Sequence, residues 1–316
     1  MNSKRKDLFW NIFLVVFLLS VAAGIYASSK KVDYIWRWNR LPQYVVYKDI
    51  QEVRAPSDGI VSVSGKTVKI TPPGSRSTPV LLENVKGISV RNGDTVFEGD
   101  VLAKNESYKL GPLLTGLLIT LEISVYSIFF AIIIGVCTGL ARISRNPFLK
   151  KLAIFYIELI RGTPLLVQIF IFYYFIGTIF NLGRMTAGVM ALSVFTGAYI
   201  AEIVRAGIQS VHKGQMEAAR SLGMSYTVAM LLVILPQAFR RTLPPMAGQF
   251  ISLIKDSSLV SVISITDLTK SGREIVASTF SPFEVWFTVA ALYLVLTSLL
   301  SYLVQLLEKK MSAQDK

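Results

Sequence analysis

The chain has 316 residues, 52% of them hydrophobic and 17% charged, where an ordinary soluble domain carries roughly 25% charged residues. The apolar excess runs in long blocks, which marks an integral membrane protein, and the net charge of +13 fits basic loops flanking membrane spans rather than a nucleic-acid surface. One cysteine, Cys137, and one histidine, His212, exclude an internal disulfide and a zinc set.

In chain order, Lys4, Arg5 and Lys6 precede a nearly unbroken apolar run over 8–27. A span needs about 20 such residues and a signal-peptide core only about 7–15, so this run reads as a retained anchor with its N-terminus in the cytoplasm. Residues 28–110 change character. Pro56, Pro72, Pro73 and Pro79, frequent Gly, Asp and Ser, and alternating stretches at 59–64 and 67–70 predict a small extracytoplasmic β domain. VRAPSDGIV (53–61) and ISVRNGDTVFEGDVL (88–102) resemble the paired hairpins of a biotinyl/lipoyl-type barrel-sandwich, with tight reversals at Asn92-Gly93 and Glu98-Gly99-Asp100. The Met-Lys pair of the carrier versions is missing, which argues against carrier chemistry. Gly65-Lys66-Thr67 is not a phosphate loop, because Ile60 stands where a glycine is required and a strand follows.

From Gly111 to Arg142 the chain is apolar, with Gly135 and Gly139 spaced for close helix approach; Cys137 in this run reads as a small packing residue. Arg142, Arg145, Lys150 and Lys151 put the next loop inside. Further spans are expected at about 152–180, interrupted by Pro164, and at about 185–208. A cytoplasmic segment at 209–244 follows, then a less apolar helix at about 245–265 behind Pro244-Pro245, an outer polar stretch at 266–282, and a last span at about 283–307. Lys309 and Lys310 hold the C-terminus inside. The predicted domains are 1–27 (cytoplasmic N-terminus and anchor), 28–110 (β domain), 111–308 (transmembrane core) and 309–316 (cytoplasmic tail).

The segment 209–244 carries the most specific pattern. GAYIAE (197–202), EAARSLGMS (217–225), ILPQAFRRTLPP (234–245) and LIKDSSL (253–259), with TLEIS (120–124) and YIELIRGTPLL (156–166), resemble the permeases of ABC importers. The likeness is to the polar amino-acid uptake branch and its cytoplasmic EAA loop. It implies an all-α membrane protein of about six transmembrane helices, five of them the permease core at about 112–308 and one the N-terminal anchor. It also implies that the loop docks on a separate ATPase subunit through Gly214, Glu217, Ala218, Ala219, Gly223, Leu235 and Pro236. The residues suit that task. Glu217 through Leu222 are good helix formers, Glu217 and Arg220 are spaced to pair, Ala218 and Ala219 permit close approach, Leu222 and Met224 offer apolar knobs, and Gly223 can close the helix in the left-handed conformation.

Ionisable residues inside spans are costly and point to function. Glu122, the pairs Glu158/Arg161 and Glu202/Arg205, Thr163, and the break Lys255-Asp256-Ser257 are therefore the substrate-pathway candidates, with the alternative that the Glu–Arg pairs lock helices. The reading is a multi-pass permease subunit in the bacterial cytoplasmic (inner) membrane, both termini cytoplasmic, contacting lipid. Its partners are an external solute-binding protein, a second permease subunit, the ATPase subunit and a polar amino-acid substrate; no nucleic acid is involved. The chain itself is no enzyme and holds no cofactor or metal, ATP and magnesium being bound by the ATPase. Two rivals remain at this stage: an ATP-independent secondary transporter, for which no internal repeat is visible, and a membrane-anchored carrier or sensor working through its β domain.

Overall fold

The computed structural model describes residues 3–31, 34–72 and 78–312; Pro73 and residues 313–316 of the expected tail lie outside them. The chain divides into two compact units after Arg40. The first holds helix α1 (Ser3–Lys31) and a 3₁₀ turn at Trp38–Arg40. Its stretch Phe9–Ser28 is long and apolar enough to cross a membrane. Aromatic pairs mark both ends of this unit: Phe9, Trp10 and Phe13 meet edge to face, and Trp36 stacks on Trp38 at 5.6 Å. Tyrosine and tryptophan favour membrane–water boundaries because their rings are apolar with a polar edge.

The second unit opens with a single turn, α2 (Pro42–Val45), and six strands: β1 (Val46–Arg54), β2 (Gly59–Ser64), β3 (Thr67–Thr71), β4 (Val80–Leu82), β5 (Thr95–Val96) and β6 (Val101–Leu110). They do not build the expected barrel-sandwich. Two small antiparallel sheets form instead, a ribbon of β1 with β6 and a four-stranded sheet in the order β4-β3-β2-β5. The ribbon runs from Val46 opposite Leu110 to Arg54 opposite Val101, so β1 and β6 are too long for a compact pack of short hairpins, while β5 is cut to two residues between its turns. The turns themselves are as expected, with Gly93 at φ +89° and Gly99 at φ +93°. Alternation along β2 and β3 sends Val61, Val68 and Ile70 inward against Val96 and Leu102. Burying each such side chain contributes about 1.5–3 kcal/mol. Diagonal ion pairs brace the ribbon, Lys48 to Glu106 and Lys109 to Asp49, both at 2.6 Å. Each lysine is held above its ordinary pKa chiefly by the hydrogen bond it donates to that carboxylate.

The helical core follows: α3 (Pro112–Ile143), α4 (Pro147–Arg161), α5 (Leu165–Phe170), a π-helical stretch Ile171–Ile176, α6 (Gly177–Ile179), α7 (Arg184–Ser210), α8 (Lys213–Ser221), α9 (Tyr226–Ala229), a π-helical turn Met230–Ile234, α10 (Leu235–Asp256), a 3₁₀ helix Ser257–Ile263, α11 (Leu268–Thr279) and α12 (Pro282–Ser312). Helices α3 and α7 lie side by side and point the same way. Ser127 reaches Val189, a side chain on Gly135 would strike Ile200, and one on Gly139 would strike Ala201 and Val204. The Gly135/Gly139 spacing thus serves close packing, as small residues do between membrane helices. Cys137 is not part of that seam; it lies exposed on α3. Because α3 has 32 residues, its ends are about 48 Å apart. The strands join its first residue and α8 lies beyond the matching end of α7, so the β sheets and α8 occupy opposite ends of the bundle.

Among the described residues four helices are long and apolar enough to span: Phe9–Ser28, α3, α7 and Pro282–Leu306. A fifth is the pair α4 plus Leu165–Ile179, bent by 103°. The span expected at 152–180 is thus broken where Pro164 was expected to interrupt it. Pro164 has no N–H to give, and the buried Gln168 takes over, donating to Ile160 O at 2.8 Å, Thr163 O at 3.2 Å and Thr163 Oγ1 at 2.8 Å. The remaining expected span, at 245–265, also differs. Helix α10 begins ten residues earlier with Pro244 and Pro245 inside it, carries Arg240, Arg241, Lys255 and Asp256, and gives way to the 3₁₀ helix at Ser257. Its charges take it out of the apolar class.

Candidate functional site

The charged break between α7 and α10 folds into a compact projecting element. His212 caps α8, its Nδ1 accepting from the Gly214 N–H at 3.1 Å. The helix closes in a left-handed turn: Gly223 has φ +82°, its N–H donates to Arg220 O, and the Met224 N–H reaches back to Ala219 O. These paired bonds satisfy carbonyls that the helix end leaves open. Ser225 then caps α9 through the Val228 N–H. The outward face of α8 presents Glu217 and Ala218, and Leu222 stands 81% exposed just beyond. Ala219 is turned inward, so only Ala218 of the two alanines is open to close approach. The expected Glu217–Arg220 pair is not among the described ion pairs; Arg220 donates to Met224 O at 2.9 Å instead, tightening the turn. Leu235 and Pro236 begin α10 directly after the π-helical turn, where the Leu235 N–H donates to Met230 O and Pro236 has no N–H to give.

Behind α8, the ends of α3 and α7 and the start of α4 enclose a groove of about 670 Å³ lined by Arg142, Lys150, Arg205, His212, Lys213 and Tyr226 among others. Arg145 lies over the Tyr226 ring at 4.3 Å. Glu202 balances part of this charge. Its Oε2 accepts from Arg205 at 2.8 Å, and its Oε1 sits 2.5 Å from Arg142 Nη1 as an ion pair without hydrogen-bond geometry.

The other pathway candidates scatter. Glu158 is exposed, and among the described residues it forms no ion pair with Arg161, whose guanidinium lies 5.1 Å from the Tyr199 ring centre. Thr163 is engaged at the α4–α5 bend, donating to Leu159 O at 3.0 Å. Glu122 is exposed on α3, Lys255 is exposed at the end of α10, Asp256 is half-buried, and Ser257 is buried with its hydroxyl donated to Ile254 O. Glu122, Thr163 and Lys255-Asp256-Ser257 stand within three residues, along the chain, of Ile123, Leu165, Leu253 and Val260, which share one apolar cluster. Glu202 and Arg205 belong to the α8 end instead. Sequence reasoning missed Gln168, whose signal was a lone amide four residues after Pro164, and Tyr156, whose hydroxyl donates to Val194 O at 2.6 Å and ties α4 to α7.

Residues 111–313 match the family described as binding-protein-dependent transport system inner membrane component. The chain belongs to this family. It is a multi-pass inner-membrane transport subunit rather than an enzyme, and α1 and the strands precede the matched region. The glutamine transport system permease protein GlnP of Escherichia coli (strain K12) is 41% identical over 202 residues, covering 63% of this chain and 92% of that protein. The nopaline transport system permease protein NocM of Agrobacterium fabrum (strain C58 / ATCC 33970) is 37% identical over 207 residues, 62% of this chain and 86% of that one. Among solved structures, a crystal structure of an amino acid ABC transporter with histidines superposes at a TM-score of 0.60 with 41% identity, covering 63% of this chain and 94% of its own. An inward-facing MetNI methionine ABC transporter shares the fold at a TM-score of 0.57 and 21% identity, covering 63% of this chain and 96% of its own.

Proposed function

We propose that this subunit is the membrane-spanning permease of an ATP-driven importer for polar amino acids. A solute-binding protein delivers substrate outside, a second permease subunit completes the pathway, and a separate ATPase drives the cycle. The observation that carries the reading is α8: a short, capped helix projecting from the bundle with Glu217, Ala218 and Leu222 on its free side, within a region 41% identical to a glutamine permease. A short helix in a groove on a partner is a compact way to pass force between chains. Glu217 and Gly223 are the principal coupling residues, Gly214, Ala218, Leu235 and Pro236 shape the contact, and Ala219 anchors α8 from within.

The orientation follows from charge. Arg142, Lys150, Lys213 and Arg241 gather at the α8 end, which is therefore cytoplasmic, with the β sheets outside and both termini inside. Substrate passes along the cluster flanked by Glu122 and Lys255-Asp256-Ser257, whose charges can replace hydration of a zwitterion. The exposed acid at Glu122 favours substrates with a cationic or amide side chain. The β region helps seat the binding protein. The test is reconstitution with the partner ATPase and binding protein in liposomes, with glutamine, arginine and histidine offered in turn. Uptake that requires ATP and is abolished by Glu217→Lys supports the reading. Uptake that continues without ATP overturns it.

A further inference from the structure

Helix α10 is fastened at its first turns and loosened just above them. Ala238 and Thr242, four residues apart and so on one face, are buried against α7 at Gly207, where any added side chain would run into Thr242. Gln237 and Arg241 form the neighbouring row. The Gln237 amide donates to Gln215 Oε1 of α8 at 3.3 Å. The Arg241 guanidinium donates to the Ser210 carbonyl and, at 3.2 Å, to the Ser210 hydroxyl. Ser210 ends α7, so Arg241 places positive charge on a carbonyl that has no helical donor, at the negative end of the helix dipole. Met216 of α8 packs into the same cluster as Ile208, Val211, Ile234 and Ala238. Immediately above, Pro244 and Pro245 remove the N–H groups that would have bonded the carbonyls of Arg240 and Arg241. The upper half of α10 then leads to Lys255-Asp256-Ser257.

We infer that Arg241 is a positioning residue that transmits the stroke of α8. It joins the lower part of α10 to the end of α7, while Gln237 beside it joins the same part to α8, so that all three move together, and the paired prolines form the hinge about which the upper half of α10 moves. Three independent contacts converge on the stretch 237–242 of α10: the Gly207–Thr242 crossing, the Arg241–Ser210 bonds and the Gln237–Gln215 bond. A hinge without that fastening would absorb the motion of α8 instead of passing it on.

This inference rests on the importer reading, and the test separates the two. Complexes with the partner ATPase and binding protein are reconstituted in liposomes with wild-type, Arg241→Ala, Arg241→Lys and Gln237→Ala subunits. ATP hydrolysis and substrate uptake are measured on the same vesicles, and the ATPase retained on each purified complex is quantified. A wild-type complex that does not link uptake to hydrolysis refutes the importer reading itself. Given a linked wild type, Arg241→Ala is expected to keep its ATPase but to move about three- to tenfold less substrate per ATP, a range set by the coupling energies typical of single residues along such contacts. Arg241→Lys, which keeps a donor, should recover part of the ratio, and Gln237→Ala should show a smaller loss. An unchanged ratio in Arg241→Ala overturns the inference, as does a parallel fall of hydrolysis and uptake, which marks a purely structural role. If Arg241→Ala does not assemble, Arg241→Lys and Gln237→Ala decide by the same ratio.

Discussion

At the scale of single residues, the ionisable groups inside the helices differ in what holds them. Glu202 and Glu158 have the same spacing to an arginine, yet among the described ion pairs only Glu202 is tied, to Arg205 on its own helix and Arg142 on α3. Nothing in the i,i+3 pattern reveals the third partner, because it comes from a helix sixty residues away. Glu202→Gln leaves two arginines facing a neutral amide. We expect a loss on the order of 2 kcal/mol, less than for a fully buried pair because the site keeps some solvent. Glu158→Gln should change stability by less than about 0.5 kcal/mol, as surface substitutions do. Thermal unfolding of the two variants in one detergent checks the contrast, and equal shifts would contradict it.

At the scale of elements, the short helix α8 and the interruption at Pro164 were legible, and the side chain that holds the bend was not. Helix formers bounded by a glycine specify α8 locally, and Gly223 adopts the left-handed backbone expected of it. Its Cβ would meet no neighbouring atom, so Gly223→Ala should cost only the backbone strain, about 1–2 kcal/mol, confined to the α8–α9 turn. The measurable result is weaker retention of the ATPase with little change in the melting of the bundle. The bend between α4 and α5 depends on Gln168, whose role is tertiary: its amide supplies the donors that the backbone at Pro164 lacks. Gln168→Leu keeps the volume and removes the donors, stranding the carbonyls of Ile160 and Thr163 at about 1–3 kcal/mol per unsatisfied group. Gln168→Glu should fail to restore stability, since a carboxylate has no N–H to offer. Equal melting of wild type and Gln168→Leu would show that the bend holds without it. The start of α10 was likewise hidden, because paired prolines read as an end of a helix although here they sit within one.

At the scale of the whole molecule, the β region stands apart from the permease core in both sequence and construction. The family match begins at residue 111, and the sheets have an apolar core of their own around Val68, Ile70 and Leu102. The region leaves and rejoins the core at one point, where the Gly111 N–H donates to Val45 O at 2.7 Å. Prolines and alternation made a β insertion legible, but strand pairing across some fifty residues, as in β1 with β6, cannot be read from local pattern. That closeness of the two ends makes the region removable. Replacing 46–110 with a two-glycine turn leaves α2 packed on Leu113 and Leu117 of α3, so the core should melt within a few degrees of the full chain. The ribbon of β1 and β6 spans nine residue pairs, about 30 Å, and its diagonal ion pairs stiffen it into a stalk. If the strands lie outside as proposed, a stalk of that height brings the four-stranded sheet level with a protein docked on the same face. If it helps seat the binding protein, the deletion should weaken that protein's affinity for the reconstituted complex by about tenfold, equivalent to about 1.4 kcal/mol, while uptake at saturating binding protein stays near the full-length rate. Surface plasmon resonance on nanodisc-embedded complexes reads the affinity, and an unchanged Kd assigns the stalk and its sheet no part in docking.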